Sequence, residues 1–119
     1  QSDFVSLHCP GGAENRNLIN AARLAAMKKG AFLINTARGD VVDQDALVAA
    51  LEGGGNCGAG LDVFASEPEV PAALIKMENV VLLPHLGSAT EETRVAMGMK
   101  AFDNLTAFFA GKPLPDRVA

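Results

Sequence analysis

Arg38, Asp62 and His85 each close a stretch that opens as an apolar run: Phe32-Leu33-Ile34-Asn35-Thr36-Ala37-Arg38, Gly60-Leu61-Asp62 and Val80-Val81-Leu82-Leu83-Pro84-His85. A guanidinium fork holds a carboxylate through two parallel hydrogen bonds, and an imidazole gives or takes a proton near neutral pH. Glu67 follows Asp62 in a loop leaving the same region, where its carboxylate can reach His85 and favour the imidazolium, the acid form. Such a set can bind a small anionic carbonyl compound and protonate it. Taken singly, each residue has a plainer structural role: Arg38 in a surface salt bridge, His85 in a turn, Asp62 as a turn cap, Glu67 in solvent. Their joint placement carries the functional reading, because ligands of open α/β sheets bind outside the carboxyl ends of the strands.

That placement requires neighbouring parallel strands. Phe4-Val5-Ser6-Leu7 reads as a first strand, stopped by Pro10-Gly11-Gly12. Asn20 caps a helix predicted over residues 21–29, with Gly30 as its C′ glycine, and a strand over 31–35 follows. Asp43 caps a second helix, in which Ala46, Leu47, Ala50 and Leu51 recur at helical spacing before Gly53-Gly54-Gly55 ends it. A third strand spans 58–62, and a proline-containing crossover over 64–79, with a brief turn at 72–76, leads to a fourth strand starting at Val80. Ser88 and Glu91 spell a capping box, with Thr90 as a competing N-cap. The last helix runs to about residue 110 with Val95, Met99, Phe102, Leu105 and Phe109 as an apolar stripe, and a loosely held tail follows from Pro113. Strands alternating with helices give a parallel sheet, and near-continuous apolar strands suit a sheet covered on both faces. The fold class is α/β.

The 119 residues make one domain's worth of chain, and 49% hydrophobic with 20% charged residues is too apolar for disorder. A net charge of -4 without Trp or Tyr offers no basic, stacking surface, so no nucleic acid partner is expected. No apolar run approaches the roughly 18–20 residues of a membrane span, and no signal-type segment opens the chain, so a soluble cytoplasmic protein without membrane contact is expected. Cys9 and Cys57 have no further Cys or His at ligand spacing, which predicts two free thiols and no metal site. Gly53-x-Gly55-x-x-Gly58 has the spelling of a dinucleotide fingerprint. It follows a helix and precedes a strand, the reverse of what places a helix N-terminus on a pyrophosphate, and reads as a loop.

Four strings, in order, spell a family: His8-Cys9-Pro10; Leu33-Ile34-Asn35-Thr36-Ala37-Arg38-Gly39 with Val41-Val42-Asp43 and Ala46-Leu47; Gly58-Ala59-Gly60-Leu61-Asp62-Val63-Phe64 with Glu67-Pro68; and Pro84-His85-Leu86-Gly87-Ser88. The chain resembles the NAD(P)-dependent D-isomer-specific 2-hydroxyacid dehydrogenases, of the glyoxylate or hydroxypyruvate reductase kind. The resemblance implies the C-terminal half of a Rossmann-type parallel sheet with flanking helices and a long C-terminal helix. Residues 1–104 would be a partial nucleotide-binding domain lacking the GxGxxG half, and 105–119 a helix end and tail returning toward a substrate domain. It implies hydride transfer between NAD or NADP and a small 2-keto acid or D-2-hydroxy acid, in a homodimer. By position, Arg38 would hold the substrate, His85 act as general acid and Glu67 orient it. Asp62 would meet the nicotinamide side, Cys9 and Pro10 the adenosine end, Thr36, Ala37 and Arg38 the nicotinamide ribose, and His85, Gly87 and Ser88 the ground beside the nicotinamide. Where relatives carry Leu-Thr-Pro and a Thr near the phosphates, this chain has Gly11-Gly12-Ala13 and Asn15, whose amide can still donate. The alternative is that the 119-residue chain by itself is a catalytically incompetent fragment or association module. A non-catalytic cofactor-sensing relative is a third reading, which the retained Arg38, Glu67 and His85 oppose.

Overall fold

The strands β1 (Phe4–Leu7), β2 (Phe32–Asn35), β3 (Gly58–Leu61) and β4 (Val80–Leu82) pair in parallel, in the order β1-β2-β3-β4. This computed structural model describes residues 1–55 and 58–118, so Cys57 lies outside the described residues. Helices α1 (Ala21–Ala25), α2 (Gln44–Glu52) and α3 (Ala72–Ile75) lie in the connections, and a 3-10 turn, Gly39–Val41, follows β2. These elements belong to one unit, Gln1–His85; a second unit, Leu86–Ala119, carries the long helix α4 (Glu91–Phe109).

Register decides what the sheet buries. Leu7, Asn35, Leu61 and Leu82 form one row across the strands, and Val5, Leu33, Ala59 and Val80 another. Alternate residues point to the same face, so both rows share a side. That side joins the core cluster with Leu24 of α1, Leu47 and Leu51 of α2 and Leu74 of α3. Phe4, Phe32, Ile34 and Val81, on the other face, stand outside the cluster, with Phe4 66% and Val81 63% exposed. Within this unit the leucines of α1, α2 and α3 all contribute to one side of the sheet. Phe4 and Phe32 shield each other on the other face by stacking at 5.3 Å.

Local signals hold where the chain is free to follow them. Asn20 and Asp43 cap α1 and α2 by accepting from the Arg23 and Ala46 N–H groups. The first helix ends at Ala25, however, four residues short of the expected 29. Strand pairing wins over helix propensity, because Phe32 must donate its N–H to Asp3 (2.8 Å) while Lys28 pairs with the Asp3 carboxylate. Gly30, at φ +84, serves the turn into β2 and does not cap α1.

In the second unit Thr90 is the N-cap of α4, accepting from the Thr93 N–H, and the Ser88 carbonyl receives the Arg94 Nε at 3.0 Å. A box on Ser88 would need the helix to start at Ala89, two residues before its first residue, Glu91. The tail is tied more firmly than expected: Asp116 accepts from Lys100 Nζ (2.7 Å) and Asn104 Nδ2 (3.0 Å) and donates its N–H to Asn104 Oδ1 (3.2 Å). No residue of α4 is buried, the stripe of Val95, Met99, Phe102, Leu105 and Phe109 included. Among the described residues no helix is long and apolar enough to cross a membrane.

Candidate active site

β2 ends on Asn35, and the backbone turns through Thr36, Ala37 and Arg38 into the 3-10 turn. Asn35 is 1% exposed; its Oδ1 accepts the Ala37 N–H (3.0 Å) and its Nδ2 donates to the Arg38 carbonyl (2.9 Å). Arg38 is extended, at φ -144 and ψ 147, with an exposed side chain whose Nη1 donates to the Ala37 carbonyl at 2.6 Å. Two residues on, Asp40 Oδ2 accepts the Gly12 N–H (2.8 Å) and draws the loop after β1 beside this turn. His8, Cys9, Pro10, Gly11, Thr36, Ala37 and Arg38 line the resulting open cavity of about 450 Å³. The structure thus brings together Cys9, Pro10, Thr36, Ala37 and Arg38. Asn15 spends its amide inside the loop, donating to the Pro10 carbonyl at 2.9 Å.

The ends of β3 and β4 supply the acid and its carboxylate. Asp62 is 6% exposed, and its N–H donates to the Asn35 carbonyl (3.0 Å), carrying the strand pairing one residue further. Beyond it the chain turns at Phe64, whose N–H donates to Glu67 Oε1 (3.0 Å), while Ala65 donates to Gln44 Oε1 of α2 (3.2 Å). Glu67 is left with Oε2, which receives His85 Nδ1 at 2.8 Å. His85 follows Leu83 and Pro84 with φ 55, a left-handed conformation that His adopts more readily than most residues. Glu67, His85, Phe64, Pro68, Val70, Leu82, Leu83 and Pro84 line a mainly apolar cavity of about 290 Å³.

Gly39 joins the two halves. A Cβ at this position would lie 1.9 Å from the Phe64 carbonyl oxygen, so the Arg38 turn rests directly on the backbone that starts the Glu67 loop. Gly39→Ala is expected to cost about 1–3 kcal/mol by overpacking, read as a Tm lower by roughly 5–15 °C for a domain of this size. A thermal melt by circular dichroism checks it.

Hydrogen bonds from His85 and then from the Phe64 N–H hold the Glu67 carboxyl below the ordinary value of 4.5, with the charges of His85 and Arg38 adding to them against the cost of burial. Arg38 therefore acts on the same carboxylate that grips His85. A lowered pKa in the folded state means that the carboxylate form stabilises the loop, fully above pH 4.5 and decreasingly as pH falls through the lower folded value. A carbon NMR titration should give Glu67 a midpoint below 4.5, and Glu67→Gln should flatten that acid-side loss of stability. A midpoint at or above 4.5 would contradict the pairing.

Gly87 and Ser88 belong to the second unit, in the turn ahead of α4. Asn35, Asp40 and Gln44 were missed by sequence reasoning. Asn35 alone left a signal, a polar residue closing an apolar strand.

Residues 1–87 match the family described as D-isomer specific 2-hydroxyacid dehydrogenase, NAD binding domain. The chain belongs to this family. It is 49% identical over 118 residues to a glyoxylate reductase of Thermococcus litoralis, covering 99% of this chain and 36% of that protein. Glyoxylate/hydroxypyruvate reductase B of Erwinia tasmaniensis is 50% identical over 113 residues, 94% of this chain and 35% of that protein. The crystal structure of the NADPH-dependent glyoxylate/hydroxypyruvate reductase of Sinorhizobium meliloti in complex with NADP and malonate superposes with a TM-score of 0.93 at 45% identity, over 98% of this chain and 37% of that one. The chain thus spans about a third of the length of these relatives. The Rossmann-type sheet expected from the sequence is present, with its parallel strands and long final helix.

Proposed function

We propose that this chain forms the acid-base and part of the cofactor surface of an NAD(P)-dependent reductase of small 2-keto acids such as glyoxylate or hydroxypyruvate. The observation that carries the reading is the Glu67–His85 pair at the carboxyl edge of the sheet, with the Arg38 charge acting on the same carboxylate. The cofactor fits what is present: the cavity of about 450 Å³ at the ends of β1 and β2 lies within the usual size of ligand pockets and is lined by the loops that carry Cys9, Pro10, Thr36, Ala37 and Arg38. When bound, the reduced nicotinamide supplies a hydride to C2 of the keto acid.

The remaining steps fall to side chains. Arg38 engages the substrate carboxylate with its guanidinium fork. His85, with Nδ1 held by Glu67, offers Nε2 to the substrate oxygen and passes its proton there as negative charge develops. Glu67 fixes the ring and balances its positive charge. Asp62 flanks the nicotinamide side, Cys9 and Pro10 the adenosine end, Thr36 and Ala37 the nicotinamide ribose, and Gly87 and Ser88 the ground beside the nicotinamide. The family resemblance extends the proposal to a cytoplasmic homodimer in which residues 105–119 return toward a substrate domain; light scattering tests the dimer.

An assay of the full-length protein with NADH or NADPH and 2-keto acids tests the reading. Oxidation of the nucleotide with glyoxylate or hydroxypyruvate is the expected result, and no turnover with any small 2-keto acid would sink it. A second reading concerns the 119-residue chain alone, which holds no strand-turn-helix dinucleotide fingerprint and acts as a fold fragment. Calorimetric titration of that chain with NADH should then show no tight binding.

A further inference from the structure

Asn35 occupies an odd place for a polar residue. Its register partners are Leu7 and Leu61, with Leu82 next in the row, so the sheet presents leucine on every other strand at this level. At 1% exposure an amide costs stability unless its hydrogen bonds are made. Both are, and neither goes to the sheet or the core: one closes on the Ala37 N–H and the other on the Arg38 carbonyl. Packing alone would be served by leucine. The amide grips the Thr36–Ala37 and Arg38–Gly39 peptide units, so the stretch between them, which holds the Ala37 and Arg38 Cα atoms, is tied at both ends, and the next residue, Gly39, lies against the Phe64 carbonyl.

We propose that Asn35 is a positioning residue for the substrate clamp: its buried amide fixes the backbone of Arg38, and so the origin and direction of the guanidinium, without touching substrate. This inference rests on Arg38 holding the substrate carboxylate, as in the proposed function. The side chain of Arg38 is exposed and long. Its aim is set where it leaves the backbone, and a displacement of about 1 Å at a substrate-holding group can cost around 10²-fold in rate.

The test is a double-mutant cycle on the full-length protein, with Asn35→Ala, Arg38→Ala and the pair, reading kcat and KM for glyoxylate and KM for the nucleotide. Asn35→Ala should lower kcat/KM for glyoxylate about 10- to 100-fold, mainly through KM, with the KM for nucleotide moving less than about threefold. In the Arg38→Ala background the same change should move kcat/KM less than about twofold, because the group it positions is gone. Asn35→Ser, which keeps an oxygen on Cβ able to accept the Ala37 N–H, should recover part of the loss and gives a readable variant if Asn35→Ala does not fold. Equal losses from Asn35→Ala in both backgrounds would mean a general structural role and overturn the proposal. A silent Asn35→Ala and Asn35→Ser beside a damaging Arg38→Ala overturns the positioning role alone, whereas a silent Arg38→Ala overturns the function assigned to Arg38 and this inference with it.

Discussion

Replacing His85 by Asn is expected to lower kcat/KM for a 2-keto acid by about 10²- to 10⁴-fold, the usual contribution of a positioned general acid. The choice of Asn matters. His85 sits at φ 55, and Asn tolerates that left-handed conformation where a β-branched or bulky residue would add strain to the chemical loss. The fold, built on the Leu33 side of the sheet, does not depend on the ring, which is 46% exposed. Melting should therefore change little while turnover collapses, and added imidazole should restore part of the rate. Unchanged turnover in the variant would falsify the assignment of His85 as acid. Glu67→Gln should give a smaller loss, because an amide still holds the ring but no longer balances its positive charge.

Arg38→Ala carries the second large effect, a rise of about 10²- to 10³-fold in KM for the 2-keto acid, since hydrogen bonds to charged groups contribute about 1.5–3 kcal/mol each and 1.4 kcal/mol is a factor of ten. Arg38→Lys should recover little of it. A lysine carries the charge as a point on a flexible stem and cannot make two parallel bonds to a carboxylate. The substitution has a second readout within the same site: Arg38 is among the charges that keep the Glu67 carboxyl below 4.5, so the midpoint of Glu67 should move up toward that value in Arg38→Ala. Steady-state kinetics with a 2-keto acid measures the first effect and the NMR titration the second. A wild-type KM in Arg38→Ala removes the clamp from the mechanism.

The sequence by itself determined the features that depend on neighbours along the chain. Apolar runs separated by capped helical segments specified four parallel strands, because run length, Asn20 and Asp43 act within a few residues. Arg38, Asp62 and His85 were readable for the same reason, as polar groups placed where apolar runs stop. Helix ends were less secure. Nothing local stops the first helix at Ala25; the pairing of Phe32 with Asp3, far back in the chain, does so. Which of Ser88 and Thr90 caps α4 depended on where the helix axis begins. Only the tertiary structure decided what holds the site in shape: Asp40 on the Gly12 N–H, Gln44 on the Ala65 N–H, Gly39 against Phe64, and Asn35 buried in a row of leucines yet bonded wholly to the Arg38 turn. Most of these contacts join residues twenty or more positions apart, and even the local Asn35 bonds gain meaning only from burial. Both follow from strand register, which brings distant stretches of backbone within hydrogen-bonding distance and which no short window of sequence encodes.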